Sequence, residues 1–306
     1  MNFADQVVKR AQNKGPLVVG LDPHFQLLPP YLWEKWIEEE GQTWKALSHC
    51  LLEFNSLILQ ALSPVVGFVK VQVAFYEALG VAGMMALKET IDEARRRDFI
   101  VILDGKRNDI ASTAIFYAQG YLSQLEIGRG LTLPSFWNVD AITVNPYLGE
   151  DSLQPFFEEA KKENKGVFVL ARTTNPSAPF IQDVGEEKVF VRVARLVEKW
   201  GEEVMGESGF SSWGIVIGAT YPEDMRFLRE EFPSLLFLIP GVGTQGGDFS
   251  SLRFAFRGDG EGALVTISRD IIFHYRQEDN DRGWEFEKKA RDRAIFYQES
   301  LREILK

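Results

Sequence analysis

Short runs rich in Val, Ile, Leu and Phe recur along the chain, each followed by turn or polar residues. They span Leu17–Asp22, Val65–Gln72, Phe99–Lys106, Ala141–Asn145, Gly166–Arg172, Trp213–Thr220, Leu235–Gly241 and Ala263–Arg269. The runs are continuously apolar rather than alternating, as in parallel strands covered on both faces. Helix-like patterns lie between them, among them Met84–Arg97, Glu186–Glu203 and Glu223–Glu231, with Pro222 suited to a first helical turn. The tail Trp284–Lys306 reads as a final amphipathic helix. Strands alternating with helices in this number predict an α/β fold, a (β/α)8 TIM barrel with helical insertions, spanning residues 1–306 as a single domain. A doubly wound sheet is the alternative, but no G-x-G-x-x-G follows the first strand. Two segments read as insertions: Pro23–Ala61, which holds the first helical layer, and Gly120–Asn138, which lengthens the connection before the fourth strand.

In such a barrel, function gathers at the C-terminal ends of the strands. The first run ends in Asp22, the second carries Lys70, the third ends in Asp104 and Lys106, and the fourth in Asn145. The fifth ends in Arg172, Thr173 and Thr174. The seventh leads through Pro240 and Gly241 into GVGTQGG, and the eighth ends in Ser268 and Arg269. Asp104 and Lys106, two apart, share one face of a strand, and Lys70 on the neighbouring strand completes a Lys–Asp–Lys array. Charges at the mouth of a buried strand are costly unless they pair with one another or with a ligand. Asp109 lies just beyond the strand, in a loop or first helical turn. The glycines after the seventh strand let backbone N–H groups approach an anion, and Arg269 offers a bidentate fork, a pairing suited to phosphate.

Composition narrows the field. The net charge of −10 over 306 residues argues against nucleic acid as a partner. The amino-terminal segment has no apolar h-region and no long uncharged apolar stretch occurs, so the expectation is a soluble, cytoplasmic protein without a membrane partner. Cys50 is the only cysteine, which excludes an intramolecular disulfide and reads as a packed thiol in a helix. His24, His49 and His274 are scattered without metal-ligand spacing, and His24, close to Asp22, is the one nearest the predicted site. The seven tryptophans read as core.

Taken together, VVGLDPH, VKVQVAFYEALG, LDGKRNDIASTA, AITVNPYLGEDSL, VLARTTNPSA, GIVIGATYPED, IPGVGTQGG and ISRDIIF resemble the orotidine 5′-phosphate decarboxylase family, in its longer bacterial form. D-x-K-x-x-D-I preceded by a strand-two lysine carries most of the specificity. The resemblance implies loss of CO₂ from orotidine 5′-phosphate to give uridine 5′-phosphate, the last step of de novo UMP synthesis, without metal or organic cofactor. It implies a charged network of Lys70, Asp104, Lys106 and Asp109 around the reacting carbon, with Lys106 stabilising and protonating it. It implies a homodimer in which Asp109, with Ile110 and Thr113, reaches the partner's site. Asp22 and Lys70 would hold the ribose and Thr174 the pyrimidine edge. Pro240, Gly241, Gln245 and Arg269 would complete the substrate site, with Gln245 and Arg269 on the phosphate. Asn108, Ser177 and Asp270 stand where the resemblance leads one to expect glycine, which puts local loop geometry in question.

Three other readings compete. Mg²⁺-dependent enzymes of the same wider group place an acid where Lys70 stands, and a cation there opposes Mg²⁺. A Schiff-base aldolase would need Lys106 neutral, against two nearby carboxylates. A sugar-phosphate binding module without catalysis would have no use for the intact charged array.

Overall fold

The computed structural model describes residues 1–242, 249–277 and 282–306. Eight parallel strands close into a barrel: β1 (Leu17–Leu21), β2 (Phe68–Gln72), β3 (Ile100–Arg107), β4 (Ala141–Val144), β5 (Gly166–Arg172), β6 (Trp213–Ile217), β7 (Leu236–Ile239) and β8 (Ala263–Ile267). Each pairs with its sequence neighbours, and β8 closes on β1 through Leu17 opposite Val265. Every strand predicted from the hydrophobic pattern is present. The helices include α1 (Phe3–Lys14), α2 (Pro30–Glu40), α3 (Trp44–Leu62), α4 (Gly80–Arg96), α5 (Ala111–Tyr121), α6 (Glu150–Lys162), α7 (Val189–Gly201), α8 (Pro222–Glu231) and α9 (Phe286–Ile304). Among the described residues no helix is long and apolar enough to cross a membrane.

The barrel carries two apolar layers. Outward-facing strand residues such as Val69, Val101 and Ile215 pack under the helices. Inward-facing Val18, Phe68, Ile102, Phe168 and Leu236 fill the lower barrel, where Phe3, Ala4, Val7 and Val8 of α1 plug its floor. Phe3 meets Phe168 edge to face at 6.1 Å. A Cβ on Gly166 would lie 2.3 Å from the Phe3 ring, so glycine at the foot of β5 makes room for that plug. With α1 sealing the bottom, only the carboxyl ends of the strands are left to form an open site.

Gly120–Asn138 does lengthen the connection before β4, and it carries an element the pattern did not predict, an antiparallel hairpin of Leu125–Gly128 paired with Leu131–Leu133. Arg129 and Gly130 turn it with φ of 54° and 74°, the double positive φ that tight hairpins require. An Arg-Gly turn is a weaker hairpin signal than Asn-Gly, which hid the element. One reading needs correction: the tryptophans are not all core. Trp213 is buried, but Trp44 opens α3 at the surface and Trp284 is exposed, stacked on Tyr31 at 4.3 Å. Cys50 is buried within α3, and burial pushes its thiol up to about 12.

Candidate active site

Along each strand the inward-facing positions change from apolar to polar toward the carboxyl end. On β2, Phe68 gives way to Lys70 and Gln72; on β3, Ile102 to Asp104; on β4, Ala141 to Thr143. Strand register then brings the polar residues level, with Gly20 opposite Lys70 and Gln72 opposite Asp104.

Asp104 is the hub. Its Oδ2 accepts from Lys70 Nζ at 2.9 Å and Gln72 Nε2 at 3.0 Å. Its Oδ1 accepts from Lys106 Nζ at 2.7 Å and the Thr143 hydroxyl at 2.9 Å. Lys70 also lies 3.4 Å from Asp22 Oδ1. The β3–β4 register shifts between Leu103 and Arg107, and within that irregularity Lys106 adopts φ 46°. A left-handed backbone is uncommon for a residue with a side chain and is held only where its surroundings over-determine it. Here Lys106 N–H donates to the Thr143 hydroxyl at 3.0 Å, so one threonine fixes both the Lys106 backbone and the carboxylate its ammonium meets.

Burial alone would raise the Asp104 carboxyl, but the charges of Lys70 and Lys106 and their hydrogen bonds outweigh it and hold the group well below the usual carboxylate range. Burial likewise acts to lower Lys70, and the charges of Asp104 and Asp22 override it and raise the ammonium above the ordinary lysine range. Lys70 is thus a buried, permanently charged group. Lys106 differs: its side chain is 46% exposed, so the same carboxylate anchors an ammonium that an incoming molecule can touch.

These groups open into a cavity of about 810 Å³ at the carboxyl ends of the strands. Leu170, Val216 and Leu238 give it an apolar wall; Thr174, Pro240, Gly241 and Arg269 lie on its rim. A charged floor, an apolar wall and a distant cation suit a small, flat, anionic molecule with a phosphate at one end.

The model of the orotidine 5′-phosphate decarboxylase / HUMPS family matches residues 15–274. The chain belongs to that family. It is 40% identical over 282 residues to the orotidine 5′-phosphate decarboxylase of Rhodopirellula baltica, covering 91% of each chain. It is 36% identical over 280 residues to that of Caldicellulosiruptor bescii, covering 90% of this chain and 91% of the other. The solved structure of Leishmania donovani OMP decarboxylase superposes with a TM-score of 0.70 at 29% identity, covering 97% of this chain and 99% of that one.

The predicted residues of this family member fall into three groups. Asp22, Lys70, Asp104, Lys106, Thr174, Pro240, Gly241 and Arg269 surround one cavity. Gln245 lies outside the described residues. Asp109, Ile110 and Thr113 do not line the cavity of their own chain; the Asp109 carboxylate accepts from the Ile110 N–H at 2.8 Å, and Ile110 and Thr113 are exposed. Arg172, one of the polar strand ends, turns away from the cavity. It is buried, paired with Asp224 at 2.9 Å and Asp183 at 3.1 Å, and stacked on Tyr221. His24 packs against Phe75 instead of lining the site. Asn108, Ser177 and Asp270 have no positive φ, so glycine is not required at any of the three.

Gln72, Thr143 and Thr266 were missed. Each lies an even number of residues from another inward-facing position, the same period that paired Asp104 with Lys106. The Thr266 hydroxyl is buried, faces the cavity, and has no hydrogen-bond partner among the described residues, which marks it as a group for a bound molecule to satisfy.

Proposed function

We propose that the chain removes CO₂ from orotidine 5′-phosphate, giving uridine 5′-phosphate, and that Lys106 supplies the proton. The observation that carries this is the placement of one accessible ammonium, Lys106, and one buried ammonium, Lys70, on opposite oxygens of Asp104 at the cavity floor.

The C6–carboxylate bond breaks, CO₂ departs, and the electron pair stays on C6. The Lys106 ammonium stabilises that pair and then donates a proton to it, leaving a neutral amine that solvent reprotonates. Asp104 faces the departing carboxylate and, with Lys70, keeps the Lys106 ammonium in place. A unit charge pair at 4 Å is worth about 4 kcal/mol at an effective dielectric near 20. Enzymes generally supply ~8–23 kcal/mol. The rest comes from a prearranged site and from binding energy at the remote phosphate, gripped by Arg269. Asp22 and Lys70 hold the ribose, and Thr174 meets the pyrimidine edge.

No metal enters this scheme. Lys70 fills the space between Asp22 and Asp104 with its own positive charge, where a divalent cation would need acid.

The working unit in this reading is a homodimer. Asp109, outside its own cavity, enters the partner's. Ile110, Thr113, Phe116 and Tyr117 support this: all are exposed, and their spacing puts them on one face at the start of α5. Cytoplasmic location follows from the same biosynthetic role.

Orotidine 5′-phosphate mixed with purified protein and EDTA tests the reaction. Loss of the orotate absorbance, with CO₂ released, is the expected result; an unchanged spectrum contradicts it.

A further inference from the structure

Arg269 opens a single helical turn, Arg269–Ile272, directly after β8. A helix of one turn has little stability of its own, so its orientation must be imposed by contacts outside it. Its apolar side is seated by Ile271 and Ile272 in the outer core, and Phe273 just beyond stacks on Phe54 at 5.5 Å. Its polar side is held by Asp270. One oxygen of that carboxylate accepts from Arg293 Nε at 2.8 Å and from the Tyr297 hydroxyl at 2.5 Å, and Arg293 Nη2 lies 2.7 Å from the same oxygen. The other oxygen accepts from Gln277 Nε2 at 2.7 Å. Arg293 and Tyr297 are four residues apart on α9, and thus on one face of that helix. The Asp270 side chain is only 12% exposed although the residue borders the cavity.

A carboxylate adjacent to a phosphate-binding arginine is a liability unless its charge is absorbed, because it would repel the same phosphate. Arg293 absorbs it here, and the bonds that do so also clamp the turn to the last helix.

We propose that Asp270 is a positioning residue for Arg269: through Arg293 and Tyr297 it fixes the turn that aims the guanidinium at the substrate phosphate. The inference rests on the phosphate role given to Arg269 above. It assigns to α9, which lies beyond residue 274 where the family model ends, a part in holding the substrate.

The two possible effects of Asp270 have opposite signs, which makes them separable. If it positions Arg269, Asp270→Asn weakens the grip on phosphate. If it merely sits near the phosphate and repels it, Asp270→Asn tightens the grip. The affinities of uridine 5′-phosphate and of uridine are measured for wild type, Arg269→Ala, Asp270→Asn and Tyr297→Phe, with thermal melting to establish that each is folded. The ratio of the two affinities isolates the phosphate. Positioning predicts that Asp270→Asn lowers this ratio by roughly three- to tenfold, about the worth of one hydrogen bond, with uridine affinity unchanged. Tyr297→Phe, the milder variant, lowers it in the same direction. In turnover, KM rises more than kcat falls. An unchanged or increased ratio in folded Asp270→Asn overturns the proposal, as does a loss shared equally by uridine. If wild type itself shows no preference for uridine 5′-phosphate, or Arg269→Ala does not reduce it, the underlying phosphate reading fails instead, and the positioning role with it.

Discussion

The Thr143 hydroxyl holds both ends of the Lys106–Asp104 pair: it accepts the Lys106 backbone N–H at 3.0 Å and donates to Asp104 Oδ1 at 2.9 Å, the oxygen that Lys106 Nζ meets. Thr143→Val keeps the shape and removes both bonds. Its expected cost is about 1–3 kcal/mol of stability, because two buried polar groups lose a partner. Turnover should fall by up to roughly a hundredfold through misplacement of Lys106. Chemical denaturation and steady-state kinetics measure the two effects; a variant with wild-type kcat would show that Lys106 needs no such brace.

Asp104 is the main counter-charge of a buried lysine. Asp104→Ala leaves Lys70 with Asp22 alone at 3.4 Å, and breaking a buried pair this way costs about 3–5 kcal/mol. A denaturation midpoint close to wild type would contradict the burial and pairing described for Lys70.

The same pair sets the pH response. Asp104 is depressed in the folded protein, so its contribution is complete above the unfolded value near 3.9 and is lost as pH falls through the lower folded value. Lys70 is raised, so its contribution is complete below about 10.4 and is lost as pH rises through the higher folded value. The stability gap between wild type and Asp104→Asn is therefore flat from about pH 5 to 9 and narrows below about pH 4. A gap that narrows between pH 5 and 7 would count against the depressed carboxyl.

Asp109 gives a test of assembly. Lys106→Ala and Asp109→Ala should each be nearly inactive alone. Mixed in equal amounts and allowed to exchange subunits, they should recover roughly a quarter of wild-type activity, because half the dimers then hold one intact site of two. No recovery, with exchange demonstrated, would place Asp109 in its own subunit's site.

Much of this molecule is legible in the residues. The strands showed as apolar runs because parallel strands buried on both faces cannot alternate, and the candidate site showed because Asp22, Asp104 and Arg269 come at the ends of such runs and Lys70 interrupts one near its end. Other features were hidden for physical reasons. Arg172 reads like the other polar strand ends, but its partners Asp183 and Asp224 come from later loops and helices, and only the fold reveals that it is a structural cation. The Lys106 side chain is legible as a member of the Lys–Asp–Lys array, but its positive φ depends on a register shift against β4 that no local pattern records. Thr143 and Gln72 look unremarkable until register brings them level with Asp104.

The central claim is that Lys106 supplies the proton that completes decarboxylation, and Lys106→Ala tests it most directly, with turnover of orotidine 5′-phosphate and affinity for uridine 5′-phosphate measured on the same folded preparation. The account predicts that turnover falls by at least roughly a thousandfold while affinity for the product stays measurable. Near-normal turnover in that variant would contradict it.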